Sequence, residues 1–250
     1  MPPAATAPPG TASWGADPYA DALRRGRGPL FLRRTDGWLL PLEVERWCAG
    51  ADAADLSALG RCEGAVLDIG CGPGRLVAAL AAQGRPVLGI DVSRAAVTRT
   101  AATGGAALHR SVFDPLPDEG SWGTALLMDG NIGIGGDPRA LLARTAQLVG
   151  PSGLLIVETA PADLDERVEV RVDTGQYAVA GHGHGHASRA PGAPFPWARV
   201  GTRALLRYAA ATGWTPAERW TVAPVPAQCP APGRCFVSLR RRRILPARRG

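Results

Sequence analysis

A glycine-rich loop between an apolar segment and a helical pattern carries the clearest chemical signal in this chain. Residues 66–74 read VLDIGCGPG. Glycine lets the backbone turn sharply and lets a ligand approach the main chain closely, and the free N–H groups where a helix begins favour a negatively charged group. The spacing is GxGxG, with Arg75 where the last glycine of a dinucleotide fingerprint would stand. The loop therefore predicts a ligand site and disfavours a pyrophosphate-bridged cofactor such as NAD.

Acidic residues follow the later apolar segments of the same region. Asp91 ends the second segment, Phe113 and Asp114 follow the third, and Asp129 ends the fourth. The predicted strands are 65–69, 86–90, 106–108, 124–128 and 154–157, and the predicted helices between them are 75–83, 93–103 and 138–148. Repeated β–α–β units imply a parallel sheet with helices on both faces. Because ligands of such sheets bind at the carboxyl ends of the strands, we expect the loop and the acids to lie at one edge.

These motifs together resemble those of the class I S-adenosylmethionine-dependent methyltransferases. DIGCGPG at 68–74 is similar to the family's first motif, and Asp129 stands at its fourth. The resemblance covers residues 64–158 well and the last 50 residues in pattern only. It implies an α/β, Rossmann-like fold with a seven-stranded, mostly parallel sheet in the order 3-2-1-4-5-7-6. The seventh strand, 235–240, would be antiparallel, and the cofactor would be S-adenosyl-L-methionine.

The resemblance also implies roles for single residues. Asp68 would hold the methionine end of the cofactor, Asp91 would accept hydrogen bonds from the ribose hydroxyls, and Asp114 would face the adenine amine, with Phe113 on the adenine ring. Taken alone, an acid such as Asp91 beside Ser93 is equally typical of a helix cap. The predicted cofactor-binding residues are Asp68, Gly70, Gly72, Gly74, Asp91, Val92, Phe113, Asp114 and Asp129.

Asp129 and Asn131 are the predicted catalytic residues, because they stand where the methyl acceptor should enter. The methyl donor is already activated, so a dedicated base is needed only if the acceptor loses a proton. Residues 129–136 read DGNIGIGG and lack the Asn/Asp-Pro-Pro-Tyr/Phe pattern of amide and base amino-group methylators. Glu158, at the end of the fifth strand, is a further candidate pocket acid. We expect in-line methyl transfer to a small molecule; the alternatives are an RNA or protein methyltransferase and a non-catalytic S-adenosylmethionine-binding protein.

Composition restricts the partners. Apolar residues make up 46% and charged residues 20% of the 250-residue chain, which is typical of a globular protein. All 28 basic side chains are arginine. Six of them lie in 240–250, where there is no acidic residue, so the C-terminal segment accounts for the whole net charge of +6. A nucleic-acid partner is therefore not favoured. No apolar run is long enough to span a membrane.

Cysteine and histidine patterns favour a metal-free, cytoplasmic protein. The five cysteines form no CxxC pair, and no secretory signal precedes the first motif. The residues GHGHGH at 181–186 alternate imidazoles with glycine, but no carboxylate or cysteine is close in sequence, so we predict a flexible loop and no metal site.

The flanking segments are expected to cover the site. We predict a disordered arm at 1–16, a single methyltransferase domain at 17–240 and a basic tail at 241–250. Within the domain, 17–60 would be a cap with two short helices around Pro41, and 159–198 an insertion with a hairpin of 167–173 and 176–180. Both segments carry large apolar side chains that would close a pocket over the strand ends. The sequence gives no indication of the oligomeric state.

Overall fold

The computed structural model describes residues 17–175, 193–224 and 233–242. The strands are β1 (Phe31–Arg34), β2 (Leu39–Pro41), β3 (Val66–Ile69), β4 (Val87–Asp91), β5 (Ala107–His109), β6 (Trp122–Leu127), β7 (Val149–Thr159), β8 (Asp165–Asp173), β9 (Phe195–Val200), β10 (Trp214–Val222) and β11 (Arg234–Arg241). The helices are α1 (Asp17–Arg25), α2 (Val44–Cys48), α3 (Ala53–Leu59), α4 (Arg75–Ala82), α5 (Arg94–Ala102), α6 (Pro138–Leu148) and α7 (Thr202–Ala211). The predicted arm, the predicted strand 176–180, the GHGHGH segment and residues beyond 242 lie outside the described residues.

Seven strands form the large sheet in the order β10-β11-β7-β6-β3-β4-β5. The strands β3, β4, β5, β6 and β7 run parallel to one another, whereas β11 runs antiparallel to both β7 and β10. When the seven strands are numbered by their order in the chain and read from the β5 edge, the order is 3-2-1-4-5-7-6, and the seventh strand is antiparallel. The α/β fold that the motif resemblance implied is confirmed. Because β11 extends to Arg241, the predicted basic tail begins inside the sheet.

Helices cover both faces of this sheet, because alternate residues of its buried strands point to opposite sides. On one side, Leu155 and Val157 pack in a cluster with α6 and α7. On the other, Leu154 and Ile156 pack with α3 and α4. Helix α3, which the sequence assigned to the cap, therefore belongs to the helical layer of the sheet.

The N-terminal segment corrects one prediction. Two short helices were expected around Pro41, but strands β1 and β2 precede that point and join β8 and β9 in a second, four-stranded antiparallel sheet. Asp36-Gly37 makes the turn between β1 and β2, with Gly37 at φ +89° and Asp36 Oδ1 accepting from the Trp38 N–H. Asp-Gly is a typical hairpin signal. Strand 167–173 of the predicted hairpin is present within β8, and its described partners are β1 and β9.

A separate apolar cluster joins the N-terminal segment to β8 and β9. It contains Leu23 and Leu32 from the first and Val172 and Phe195 from the second, all almost fully buried. The two segments that flank the large sheet therefore pack on one another. None of the described helices is long and apolar enough to cross a membrane.

Candidate active site

A cavity lies at the carboxyl ends of β3, β4 and β6. The glycine loop, Asp91, Val92 and Asp129 line its inner side. Its outer walls come from the two flanking segments: the N-terminal segment contributes Tyr19, Leu42 and Trp47, and β9 contributes Phe195, Pro196 and Trp197. Both segments thus lie over the strand ends. Trp197 and Phe195 are also core residues of the apolar cluster described above, so they both line the cavity and pack in the core.

The glycine loop is shaped by its neighbours as well as by its own backbone. Gly70 has φ +73°, and a Cβ there would come within 2.6 Å of Asn131 Nδ2. Gly74 has φ +88°, and a Cβ there would come within 2.6 Å of the Thr100 side chain. Gly70 and Gly72 line the cavity, but Gly74 lies outside the lining, where it lets α4 and α5 approach closely. Its predicted contact with the cofactor remains a prediction.

Asp91 holds the loop from the next strand. Its Oδ2 accepts from the Gly72 N–H at 2.9 Å, and its Oδ1 accepts from the Ser93 N–H at 2.8 Å. Burial raises the pKa of Asp91, and the hydrogen bonds from Ser93 and Gly72 oppose that rise. Each carboxylate oxygen has a second lone pair, so Asp91 can hold the loop and still accept from a ligand hydroxyl.

Asp68 is buried just before the loop. It is 1% exposed, and burial raises its pKa to about 7, against the opposing charge of Arg75. Its Oδ2 has no hydrogen-bond partner among the described residues. Asp68 does not line the cavity itself, but it is joined to it through Ile69 and Gly70.

A network of ion pairs between arginines and carboxylates borders the cavity, which Arg75 and Asp129 line. Its members, hereafter the arginine–carboxylate network, are Arg46, Arg75, Arg234, Asp52, Asp55, Asp129 and Glu158. Arg75 is its centre: Nε donates to Asp55 Oδ2 at 2.8 Å and Nη1 to Asp129 Oδ2 at 2.7 Å. Arg234 binds Asp55 and Glu158 from β11 at 2.9 and 2.8 Å. The network joins β7, β11, the segment that follows β6 and three helices at the carboxyl end of the sheet.

Asp129 is an anchored anion in this network. Arg46 Nη2 donates to its Oδ1 at 2.7 Å, and Arg75 binds both of its oxygens. Burial acts to raise the pKa of Asp129, but the charges of Arg75 and Arg46 outweigh it and hold the pKa below its ordinary value. A carboxylate held in this way is a poor proton acceptor near neutral pH. The geometry therefore assigns Asp129 to the wall of the cavity and offers no support for a role as a base.

Asn131 also acts on the loop in this structure. It lies in a one-turn 3-10 helix, Asn131–Gly133, and its Nδ2 donates to the carbonyl oxygens of Ile69 and Gly70 at 2.9 and 3.0 Å. It lines the cavity, and its amide closes the first turn of the glycine loop. A positioning role follows from these bonds; its predicted catalytic role remains a prediction.

The structure separates the two residues expected at the adenine. Phe113 lines the cavity and is 40% exposed. Asp114 lies outside the lining, and its Oδ2 accepts from the Ser111 N–H of its own turn at 3.2 Å. Of this pair, only Phe113 is presented to the cavity, and the contact predicted for Asp114 remains a prediction.

The sequence interpretation did not single out Tyr19, Trp47 or Arg75 as residues of the wall. The Tyr19 hydroxyl lies next to Gly72, 3.8 Å from where a Cβ would stand, and burial raises the pKa of this phenol. Trp47 packs edge-on against Tyr19 with ring centroids 6.4 Å apart. Arg75 lines the cavity directly after the loop, which was a usable signal.

Metal and disulfide chemistry have no described site here. No group of three histidine, cysteine or acidic residues that could hold a metal ion occurs within 17–175, 193–224 and 233–242. The four cysteines in the same ranges, Cys48, Cys62, Cys71 and Cys235, are free thiols.

Comparison with known proteins places this geometry in a family. Residues 45–191, more than half of the chain, match the family model described as a methyltransferase domain. The chain belongs to this family, which confirms the resemblance read from its motifs: it is a methyltransferase. A comparison with curated proteins gives no match.

Solved structures share its fold. An S-adenosylmethionine-dependent methyltransferase from Bacteroides fragilis, crystallised with S-adenosyl-L-homocysteine, is 20% identical with a TM-score of 0.67, over 94% of this chain and 97% of that one. The 1,6-didemethyltoxoflavin N1-methyltransferase of Burkholderia thailandensis is 20% identical with a TM-score of 0.52, over 77% and 76%. A sugar N-methyltransferase from a Streptoalloteichus species is 18% identical with a TM-score of 0.52, over 80% and 90%. At these identities the likeness is one of fold.

Proposed function

We propose that this chain transfers a methyl group from S-adenosyl-L-methionine to a small-molecule acceptor. The observation that carries the proposal is the cavity itself, in which a glycine loop at the carboxyl edge of the sheet faces large apolar side chains from two covering segments. When bound, the cofactor supplies an activated methyl group on a sulfonium.

The residues present fit that cofactor. Gly70 and Gly72 leave the main chain open to close approach, and Asp91 keeps lone pairs available for hydroxyl groups beside them. The unpartnered Oδ2 of Asp68 suits an ammonium group. Phe113 offers an exposed ring at the end of the cavity that follows β5. These residues would hold the ribose, the amino-acid end and the adenine, respectively.

The chain's own contribution to the reaction is positioning and exclusion of water. In-line transfer depends on alignment of the reacting atoms, and a dry site prevents competing contacts with solvent. Asn131 and Asp91 hold the loop rigid by hydrogen bonds. Leu42, Trp47 and Trp197 supply an apolar cover.

The acceptor site favours a small, largely apolar molecule. The covering walls carry Leu42, Trp47, Ile134, Phe195 and Trp197, a composition typical of small-molecule pockets. An RNA substrate would call for a basic trough. Two arginines are among the described lining residues, Arg75 and Arg110; Arg75 is buried and already bonded to Asp55 and Asp129, which leaves the exposed Arg110 in a mostly apolar lining. The relatives of similar fold that act on a toxoflavin precursor and on a sugar also have small acceptors.

Calorimetric titration tests the cofactor assignment. The purified chain is titrated in parallel with S-adenosyl-L-methionine, S-adenosyl-L-homocysteine and NAD. We expect saturable binding of the first two only. Binding of NAD alone would overturn the proposal. Binding of both adenosyl compounds without turnover on any small molecule, RNA or protein would favour a non-catalytic binding protein instead.

A further inference from the structure

Aromatic side chains are concentrated in the walls of the cavity. Aromatic residues make up 6% of the chain, yet five of the described residues that line this one cavity are aromatic: Tyr19, Trp47, Phe113, Phe195 and Trp197. Four of them form two edge-to-face pairs, Tyr19 with Trp47 and Phe195 with Trp197, with ring centroids 6.4 and 6.3 Å apart. The first pair comes from the N-terminal segment and the second from β9, so aromatic rings lie in both of the walls that cover the strand ends.

The core holds these rings in place. Tyr19, Phe195 and Trp197 are buried members of the apolar cluster that joins the N-terminal segment to β8 and β9, and Trp47 packs against that cluster. Side chains in a packed core keep defined rotamers, so little side-chain entropy is lost when a molecule binds against them. A flat ring system gains stacking and edge-to-face contacts from such walls, beyond what the buried area alone provides.

Trp47 also carries an unused hydrogen-bond donor. Its Nε1 is buried and has no hydrogen-bond partner among the described residues. A buried indole N–H usually finds a partner, and one without a partner calls for an explanation. Because Trp47 lines the cavity, an oxygen or nitrogen acceptor on a bound molecule would satisfy this donor.

The charges of the lining favour a neutral molecule. Two arginines and two aspartates are among the described lining residues, so their formal charges cancel. Arg75 and Asp129 are bonded to each other, and Asp91 already accepts from two main-chain N–H groups. Aromatic faces also attract cations, but an ammonium acceptor would find its nearest carboxylates engaged in this way.

We propose that the methyl acceptor is a neutral, planar aromatic or heteroaromatic molecule. It lies against the two aromatic pairs and accepts a hydrogen bond from Trp47 Nε1 through a carbonyl oxygen or a ring nitrogen. This inference rests on the proposed function, because it names the class of acceptor for the same site.

The segment after β6 ties one aromatic wall to the glycine loop. Asn131 donates to two carbonyl oxygens of that loop, and Ile134 forms an antiparallel bridge with Trp197 of β9. Gly133 permits this close packing, because a Cβ there would come within 2.2 Å of the Ala198 carbonyl oxygen. A ring held by β9 therefore has a fixed position relative to the loop, and methyl transfer depends on such alignment.

Matched probes test the acceptor class in calorimetric titrations of the full chain saturated with S-adenosyl-L-homocysteine. Coumarin is planar and aromatic, and octahydrocoumarin carries the same lactone carbonyl on a saturated, non-planar ring system. Naphthalene is planar but has no hydrogen-bond acceptor, and choline is a cation. We expect coumarin to bind at least about 10-fold more tightly than octahydrocoumarin, because contacts with more than one ring add to shape alone, and we expect no binding of choline.

Two variants assign the contacts to residues. Trp47→Phe keeps an aromatic ring without the donor, so it should weaken coumarin by about 10-fold and leave naphthalene unchanged. Trp197→Leu should lower the preference for coumarin over octahydrocoumarin by about 3- to 10-fold. Binding of S-adenosyl-L-homocysteine is measured first with each variant, so a variant that fails to fold is recognised. Trp47→Phe, the more conservative change, still tests the hydrogen bond if Trp197→Leu does not fold.

A matched control comes from the same segment as Trp47. Trp38 is 40% exposed, and its ring packs against Arg199 outside the cavity lining. Trp38→Phe should therefore bind coumarin as tightly as the unmodified chain does.

The outcomes separate this inference from the proposed function. If octahydrocoumarin or choline binds as tightly as coumarin, or if no probe binds to the chain saturated with S-adenosyl-L-homocysteine, the aromatic acceptor is refuted while the proposed function stands. If Trp47→Phe weakens coumarin and naphthalene equally, the hydrogen bond from Trp47 is refuted. If S-adenosyl-L-homocysteine itself does not bind to the unmodified chain, the proposed function fails.

Discussion

Removing Arg75 should destabilise the fold, because the carboxylates of Asp55 and Asp129 would each lose a hydrogen-bonded counter-charge. The side chain is 3% exposed and lies between Asp55, which is fully buried, and Asp129. Arg75→Met keeps an unbranched apolar stem and removes the guanidinium with its charge. Breaking a buried ion pair by deleting one partner destabilises a protein by about 3–5 kcal/mol. Because Asp129 keeps Arg46 and Asp55 keeps Arg234, we expect the lower end, about 3 kcal/mol.

Urea unfolding at pH 7 measures this loss. With a denaturant slope of about 1–3 kcal/mol per molar urea, the unfolding midpoint should fall by at least about 1 M. Arg240→Gln is the matched control, because Arg240 pairs with Glu63 and both side chains are far more exposed, at 40% and 53%. An exposed pair contributes about 0–1 kcal/mol. If Arg75→Met were no more destabilising than Arg240→Gln, the arginine–carboxylate network would not hold the sheet edge together as inferred.

The pH dependence of the unfolding free energy gives a second test with the same variant. Burial acts to raise the pKa of Asp55, but Arg75 and Arg234 outweigh it and lower the pKa from 3.8 to about 2. The stability that this ion pairing contributes is therefore complete above about pH 4 and is lost as pH falls towards 2. The difference in unfolding free energy between the unmodified chain and Arg75→Met should narrow as pH is lowered from 5 to 3. A constant difference would contradict an electrostatic origin.

Three further predictions concern ligand binding. Asp91→Ala should lower the affinity for S-adenosyl-L-homocysteine, measured by calorimetry, by about 10- to 100-fold while the protein stays folded. An unchanged affinity would show that Asp91 does not contact the ligand. Burial raises the pKa of Asp68 to about 7, and an ammonium binds its ionised form, so affinity should rise from pH 6 to pH 8 and level off above. A pH-independent affinity in the unmodified chain would count against this role, and Asp68→Asn should abolish the dependence. Gly70→Ala, where a Cβ would meet Asn131 at 2.6 Å, should reduce affinity and melting temperature more than Gly84→Ala, which has a similar φ and open space; equal effects would contradict the packing argument.

Local signals account for the parts of the fold that the sequence predicted. The parallel sheet follows from short apolar strands alternating with helical patterns. Carboxylates mark the ends of two of these strands, with Asp68 as the next-to-last residue of β3 and Asp91 as the last residue of β4. Because parallel strands share an edge, their order along the chain was enough to bring the loop and Asp129 together. No knowledge of side-chain contacts was needed for this part of the site.

Long-range pairing explains what the sequence interpretation missed. Strand β1 pairs with β8, with Phe31 opposite Asp173, and nothing near Phe31 in the sequence marks that partner. The arginine–carboxylate network joins residues such as Asp55 and Arg234, which lie 179 positions apart. In a chain whose basic residues are all arginine, composition does not distinguish the buried arginines from the exposed ones.

Methyl transfer itself tests the central claim most directly. The purified chain is incubated with S-adenosyl-L-methionine carrying an isotopic label in the methyl group, together with small-molecule, RNA or protein fractions from the cells that make it, with Asp91→Ala as the control. We predict that label enters the small-molecule fraction, that S-adenosyl-L-homocysteine accumulates in equal amount, and that the variant is much slower at low cofactor concentration. Label that enters RNA or protein instead, or bound cofactor that never loses its methyl group with any fraction, would contradict the account.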